Sequence, residues 1–208
     1  MITENKGVVT GILIAATLWF FMFSPWTAPM INFWGAMTFS AVILTCVSRW
    51  LCPEMFKELR FGGKQIVLGF AIAFVLWWVF WIGDKMSQLI FNFARPQVDM
   101  IYSMGNGTSS VIIAILLLLI IGPAEEIFWR GFVQRSLMLR FGSNIGFIAA
   151  TVCYALVHIW SFNFMLVMAA LVVGFCWGLI YRFFPRLLPA LIVSHAVWDA
   201  CAFVIFPF

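Results

Sequence analysis

The chain has 208 residues, of which 64% are hydrophobic and only 10% are charged, and its mean hydropathy is +1.06. Because a soluble domain carries about 25% charged residues, this composition excludes an ordinary soluble protein. Lipid leaves no partner for an open backbone, so we expect an all-α, polytopic transmembrane helix bundle that forms one domain over residues 1–208. The formal net charge of +4 is then a signal of membrane topology and does not indicate a nucleic-acid partner.

Seven apolar segments follow one another along the chain, each of about 15–23 residues and close to the length that crosses a bilayer. They cover residues 8–23, 30–47, 65–82, 109 onward, 145–160, 163–181 and 187–206. The first segment is followed by Ser24 and Pro25 without a small-residue cleavage site, so we interpret it as an uncleaved span. Residues 83–108 carry several charges and are expected to form an interfacial amphipathic segment or a folded loop.

The basic residues between these segments are distributed unevenly, which predicts the orientation. Two lie on the side opposite the N-terminus, Lys85 and Arg95, and Arg130 lies within the fourth segment. On the N-terminal side lie Lys6, Arg49, Lys57, Arg60, Lys64, Arg135, Arg140, Arg182 and Arg186. Cytoplasmic loops are enriched in Lys and Arg, so the N-terminus is predicted to be cytoplasmic and the C-terminus to lie outside. We expect an integral protein of a bacterial inner (cytoplasmic) membrane.

Tryptophans near the segment ends are typical of the interfacial belts that anchor a protein among lipid headgroups. We interpret Trp19, Trp26, Trp50, Trp81 and Trp160 in this way. The five cysteines are odd in number and form no CxxC pair, so neither a disulfide framework nor a zinc knuckle is predicted.

Six polar side chains interrupt the later apolar segments: Glu125, Glu126, Arg130, His158, His195 and Asp199. A charge near the middle of a bilayer costs at least about 2.5–3.5 kcal/mol, so such residues indicate a functional site. Glu126 and Arg130 are four residues apart on one helix face and are expected to form a buried ion pair with a structural role. Glu125 is displaced by about 100° from Glu126 and is free for another function.

The expected depths of these side chains overlap if the fourth helix continues through Gly122 and Pro123 to about Phe141. At 1.5 Å per residue, Glu125 lies about 24 Å from that end, and His158 lies about 20 Å from the start of its segment. His195 and Asp199 lie about 12 and 18 Å from the start of theirs. Pro123 removes one helical hydrogen bond and should open space for water near the carboxylates. The sequence therefore predicts one shared, water-containing site.

Two kinds of chemistry suit this set. Glu125 can take a proton from a water that a histidine also holds, while a second pair stabilises a developing oxyanion. Alternatively, Glu125, His158, His195 and Asp199 can ligate Zn²⁺, which accepts imidazole and carboxylate ligands.

Three motifs resemble those of one known family. EEIFWR, residues 125–130, matches the EExxxR motif of the CPBP family, the type II CAAX prenyl endopeptidases and bacteriocin-processing (Abi) proteins. YALVH, residues 154–158, is similar to that family's FxxxH motif with Tyr in place of Phe, and HAVWD, residues 195–199, to its HxxxN/D motif. The motifs keep the family's order and lie in the second half of the chain, within residues 109–206.

The resemblance implies an intramembrane endopeptidase that acts on a peptide or membrane-protein substrate within the lipid bilayer. By the family pattern, Glu125 and His158 activate the water, His195 and Asp199 stabilise the oxyanion, and Glu126 with Arg130 supports them. Asp199 must be protonated to donate a hydrogen bond; otherwise it orients His195. The family has been described both as zinc metalloproteases and as metal-independent glutamate proteases. We favour no cofactor, because no three-ligand spacing occurs on one or two helices, and keep zinc as the alternative.

Two other function classes fit part of the pattern. A proton-coupled carrier also uses buried Glu, His and Asp, but it would be expected to show inverted repeats, and none is found. A non-enzymatic scaffold or bacteriocin-immunity protein is suggested by the Abi members of the family. No feature of the sequence selects a prenylated substrate or an oligomeric state.

Overall fold

The computed structural model describes residues 2–208, with side chains from Gly7 onward, so Lys6 lies outside the described side chains. The described chain is helical and contains no strand, which confirms the all-α prediction. Nine helices follow in order: α1 Ile2–Phe23, α2 Phe33–Leu51, α3 Pro53–Glu58, α4 Gly63–Ile90, α5 Ala94–Ser103, α6 Ser110–Phe141, α7 Ser143–Leu156, α8 Phe164–Phe183 and α9 Leu188–Ala200.

Six of these helical stretches are long and apolar enough to cross a membrane, where the sequence predicted about seven spans. In the first helix the side chains are described over Gly7–Phe23, and this stretch is also apolar. Helix α4 continues to Ile90, eight residues beyond its predicted end, because a single glycine such as Gly83 costs a helix only about 1 kcal/mol. The remainder of the predicted interfacial segment contains the short helix α5.

Helix α6 passes through Gly122 and Pro123 to Phe141, as predicted. Its backbone is not regular, because π-helical turns at Leu117–Ile121 and Ile127–Gln134 flank a short α-helical stretch, Gly122–Glu126. Pro123 has no N–H to donate and its ring disfavours the normal preceding turn, so a wider turn before it is expected. Such π segments occur often at functional sites, and here they flank the stretch that carries both glutamates.

Contacts between helix ends agree with the predicted alternation across the bundle. At the basic end, Arg135 of α6 forms two hydrogen bonds with Glu58 of α3, at 2.7 and 2.8 Å. At the other end, the Asn163 amide donates to the carbonyl of Gln97 in α5 at 2.7 Å. These contacts show which loops lie at the same end of the bundle. The cytoplasmic position of the N-terminus stays a prediction.

Helix α9 lies at the centre of the bundle, with almost every residue buried. It packs closely on two helices through glycines. A Cβ at Gly69 of α4 would lie 2.6 Å from the Val193 side chain, and a Cβ at Gly122 of α6 would lie 2.7 Å from Cα of Ala196. These approaches hold the histidine and aspartate of α9 beside the glutamates of α6.

The predicted aromatic belt is partly correct. Trp26 and Trp50 are 64% and 81% exposed, as lipid-facing anchors should be. The interpretation of Trp19 as an anchor is wrong, since this side chain is 1% exposed and packs inside the bundle. Hydropathy gives the position of a residue along a helix and does not give the direction in which it faces.

Candidate active site

One cavity of about 520 Å³ reaches the middle of the bundle. Four polar side chains predicted from the sequence line it, namely Glu125, His158, His195 and Asp199, together with Tyr154. All five are buried, with exposed fractions between 3% and 6%. Three separate stretches of chain thus bring acidic and imidazole groups to a single space.

Glu125 has one protein hydrogen-bond donor. The Tyr154 hydroxyl of α7 donates to its Oε2 at 2.9 Å. The Tyr154 ring packs edge-on against Trp129, with ring centroids 5.2 Å apart, which fixes the direction of the hydroxyl. Since Tyr is a neutral donor, the bond orients the carboxylate without supplying a positive charge to it.

Glu126 lies in a different environment, although it is the next residue. Its side chain is 0% exposed and does not line the cavity. Oε1 accepts from the Arg130 guanidinium at 2.8 Å, which is the predicted ion pair, and also from Nδ1 of His195 at 2.8 Å. This carboxylate therefore joins α6 to α9 and holds His195 with its proton on Nδ1.

His195 connects Glu126 to Asp199. Its other ring nitrogen, Nε2, lies 3.5 Å from Oδ2 of Asp199, one turn further along α9. The imidazole stacks on Trp177 of α8, with centroids 4.0 Å apart and an interplanar angle of 24°. The Trp177 indole in turn donates to the Ser194 hydroxyl at 3.0 Å, so the platform beneath the imidazole is fixed.

The buried guanidinium of Arg130 lies against two aromatic rings. It is 4.8 Å from the ring centroid of Tyr154 and 5.4 Å from that of Trp177. Cation–π contacts of this kind contribute about 2 kcal/mol when they are desolvated. Arg130 thereby contacts the tyrosine that orients Glu125 and the tryptophan that supports His195.

His158 is held at both ring nitrogens. Nδ1 lies 2.8 Å from the Tyr154 carbonyl, and Nε2 lies 3.0 Å from the Trp19 indole nitrogen of α1. A carbonyl can only accept and an indole N–H can only donate, so His158 is neutral with its proton on Nδ1. Its single Nε2 lone pair is engaged by Trp19 in this arrangement.

A zinc site would need free donor atoms of the His, Asp and Glu side chains to converge on one point. Among the side chains described from Gly7 onward, no group of three His, Cys, Asp or Glu residues is arranged to hold a metal ion. His158 already uses its Nε2 lone pair to accept from Trp19, so in this arrangement it offers no free nitrogen to a metal. The donors as arranged do not fit a zinc site.

The rest of the cavity is lined mainly by apolar side chains and extends to the end of the bundle that carries α5. Its walls there come from α2, α4, α5 and α8, with side chains such as Phe80, Tyr102 and Met168. Asp84 of α4 is an acidic exception in this wall: its Oδ2 contacts Gln88 and Lys85, and its buried Oδ1 has no hydrogen-bond partner. The cavity thus joins a polar inner end to an apolar chamber.

Sequence reasoning missed three side chains that hold the site. The sequence gives Tyr154 only as the replacement of Phe in a motif, it predicts a lipid anchor for Trp19, and it predicts no role for Trp177. The position of Tyr154 one turn before His158 was an available signal for its role. No comparable signal identifies Trp19 or Trp177, because their contacts join helices far apart in the chain.

The comparisons with known proteins concern the same part of the chain. Residues 107–201 match a family model described as Type II CAAX prenyl endopeptidase Rce1-like. The matched region contains all three motifs, which confirms the resemblance stated from the sequence. No curated protein and no solved structure matches the chain.

Proposed function

We propose, from the similarity of residues 107–201 to type II CAAX prenyl endopeptidases, that this integral membrane protein is an intramembrane endopeptidase. One observation carries the proposal: Glu125, His158, His195 and Asp199 line a single buried cavity. Its substrate is a peptide segment of a membrane-associated protein, which the apolar chamber would accept beside the polar inner end. We place it in a bacterial cytoplasmic membrane.

Glu125 is the proposed general base. Among the side chains described from Gly7 onward it has no cationic partner, it lines the cavity, and the Tyr154 hydroxyl donates to one of its oxygens. The carboxylate takes a proton from a water molecule, whose oxygen then attacks the scissile carbonyl carbon. The protonated Glu125 subsequently returns that proton to the leaving amine.

The proposed oxyanion donor is the His195–Asp199 pair. Glu126 holds the Nδ1 proton of His195, so a second proton on this pair would lie between Nε2 and Oδ2, which are 3.5 Å apart. Both groups line the cavity, and that proton can be donated to the tetrahedral oxyanion. Glu126 acts here as a positioning residue, since it contacts His195 without lining the cavity, and Arg130 supports Glu126 through their ion pair.

His158 is the proposed second contact of the attacking water. Because Trp19 donates to Nε2, the water must replace the indole at this nitrogen before His158 can accept from it. Trp19 would then regulate access to His158, and the Nδ1 bond to the Tyr154 carbonyl would keep the ring in place during the exchange.

We propose that this reaction needs no metal, since the donors do not assemble into a three-ligand set. The experiment is dialysis of the purified protein against a chelator, followed by metal analysis and a cleavage assay. Cleavage that persists in metal-free protein supports the proposal. Cleavage that is lost and then restored by zinc overturns it.

The proposed base is tested with Glu125→Gln, which keeps the shape of the side chain and the Tyr154 contact. Loss of a general base lowers a rate by about 10²–10⁴-fold. Cleavage is measured by mass spectrometry on a peptide library with the protein in detergent, and folding by its melting temperature. Glu54→Gln, an exposed carboxylate paired with Lys57, is the matched control and should cleave normally.

Three outcomes separate the function classes. Lost cleavage with an unchanged melting temperature supports the peptidase. Full cleavage by the Glu125→Gln variant would show that Glu125 is not the general base. If the wild type cleaves nothing and a Glu125→Gln strain keeps a protective phenotype against a bacteriocin, the non-enzymatic immunity reading replaces the peptidase.

A further inference from the structure

A second cavity, of about 650 Å³, lies at the basic end of the bundle, away from the proposed active site. Its wall is formed by α3 and the loop after it, by Arg135 of α6, by Tyr181 near the end of α8, and by the segment that leads into α9. None of these residues has a role in the proposed reaction.

The charge of this cavity is strongly positive. Four basic side chains line it, Lys57, Arg60, Arg135 and Arg186, against a single acidic one, Glu58. The acidic group is already engaged, because Arg135 forms two hydrogen bonds with its two oxygens. An anion that enters the cavity therefore meets little uncompensated negative charge.

Two of the four cations are free for a ligand. Lys57 pairs with Glu54 and Arg135 pairs with Glu58. Among the described side chains, no ion pair involves Arg60 or Arg186. Guanidinium groups present a planar set of N–H donors that fits phosphate oxygens in pairs, so two unpaired arginines on one cavity suit a phosphate group.

The surroundings of these arginines indicate where the phosphate comes from. Each is next or nearly next in sequence to a large exposed aromatic side chain, Phe61 at 57% and Phe184 at 60% exposure. The cavity lies where α8 ends and where the segments of α4 and α9 begin. This is the level of a bilayer at which apolar side chains contact acyl chains while cations contact headgroup phosphates.

We propose that this cavity, which we call the basic cavity, binds the phosphate group of an anionic phospholipid. Arg60 and Arg186 contact the phosphate, Tyr181 and Arg135 form the inner wall, and Phe61 and Phe184 lie beside the acyl chains. The lipid would join α3 to the entrance of α9, close to the point where Gly131 of α6 approaches Met55 and Leu188. The proposal does not depend on the proposed peptidase activity, because it concerns binding alone.

The test measures lipid binding to the full chain in neutral detergent by native mass spectrometry. Phosphatidylglycerol is titrated against phosphatidylcholine with the same acyl chains, and inorganic phosphate is added as a competitor in a third series. We expect one phosphatidylglycerol to be retained in preference to phosphatidylcholine, with no displacement by millimolar phosphate. Displacement by inorganic phosphate would overturn the lipid assignment and give the site to a soluble anion.

The variant is Arg60→Gln combined with Arg186→Gln, and the matched control is Arg140→Gln, an exposed arginine at the same end but outside the basic cavity. Each basic residue near an anionic surface contributes about 1 kcal/mol, so the double variant should bind phosphatidylglycerol about thirty-fold more weakly. The control should bind as the wild type does. Equal binding by the double variant, or equal loss in the control, overturns the proposal. Melting temperatures by tryptophan fluorescence verify that all variants are folded.

Discussion

Glu125 and Glu126 are neighbours in the chain and opposites in their surroundings. Glu125 lines the cavity and receives one hydrogen bond, from a neutral tyrosine. Glu126 is completely buried and receives two, from Arg130 and His195. A rotation of about 100° between successive residues of a helix is enough to separate them.

The difference shows how one motif serves two purposes. A carboxylate that is bound by a guanidinium and an imidazole from two helices holds those helices together. A carboxylate with an open side can act on a water molecule, at the cost of being less well stabilised. The helix geometry directs the two glutamate side chains to different sides of α6. The residues that surround each side chain then determine its role.

The largest expected difference between the two glutamates is in stability. Glu126→Ala leaves Arg130 charged, buried and without its carboxylate, and breaking a buried pair in this way costs about 3–5 kcal/mol. Glu125→Ala removes one hydrogen bond and should cost about 1 kcal/mol. The measurement is unfolding in detergent followed by tryptophan fluorescence. Similar losses in the two variants would contradict the division of roles.

A smaller effect is expected from widening the distance between α6 and α9. In Gly122→Ala the new Cβ would lie 2.7 Å from Cα and 2.8 Å from the backbone nitrogen of Ala196, beside His195. Overpacking of this kind costs about 1–3 kcal/mol, and it should also separate Glu126 from His195 and slow cleavage. Gly63→Ala of α4 is the control, because a Cβ there meets nothing within 4 Å and Gly63 does not line the cavity. A normal melting temperature and normal cleavage in Gly122→Ala would show that the close approach is not needed.

The smallest effect concerns the orientation of Glu125. Tyr154→Phe removes the hydroxyl that donates to Oε2 and keeps the ring. Loss of one hydrogen bond costs about 1 kcal/mol, so kcat should fall about five-fold while KM changes little. Tyr181→Phe, a buried tyrosine outside the catalytic cavity, is the control. An equal fall in both variants would indicate a general packing effect and not orientation of the base.

Much of the fold follows from the pattern of hydropathy. The long helix through Pro123, the pairing of Glu126 with Arg130 and the gathering of the four site residues were all expected from segment lengths and one-turn spacings. These features are local to one helix or depend only on depth in the membrane. Spacing along one helix and depth in the membrane can both be estimated from the sequence alone.

Contacts across helices were harder to predict. The bond between His195 and Glu126 was not expected, since spacing along a helix does not say which neighbour its side chains meet. The burial of Trp19 was missed for the same reason, because hydropathy does not distinguish the lipid side of an apolar helix from its protein side. The exact end of α4 was missed because the energetic signal of one glycine is weak.

The bond from Trp19 to His158 joins positions 139 residues apart. During synthesis the first helix enters the membrane long before the segment with His158 leaves the ribosome, and closing so large a loop is slow. The contact between Trp19 and His158 can therefore form only late in folding. The site is complete only when α1 packs against the segment that carries His158. A fragment cut at residue 107 would keep every matched motif and still lose one side of the site.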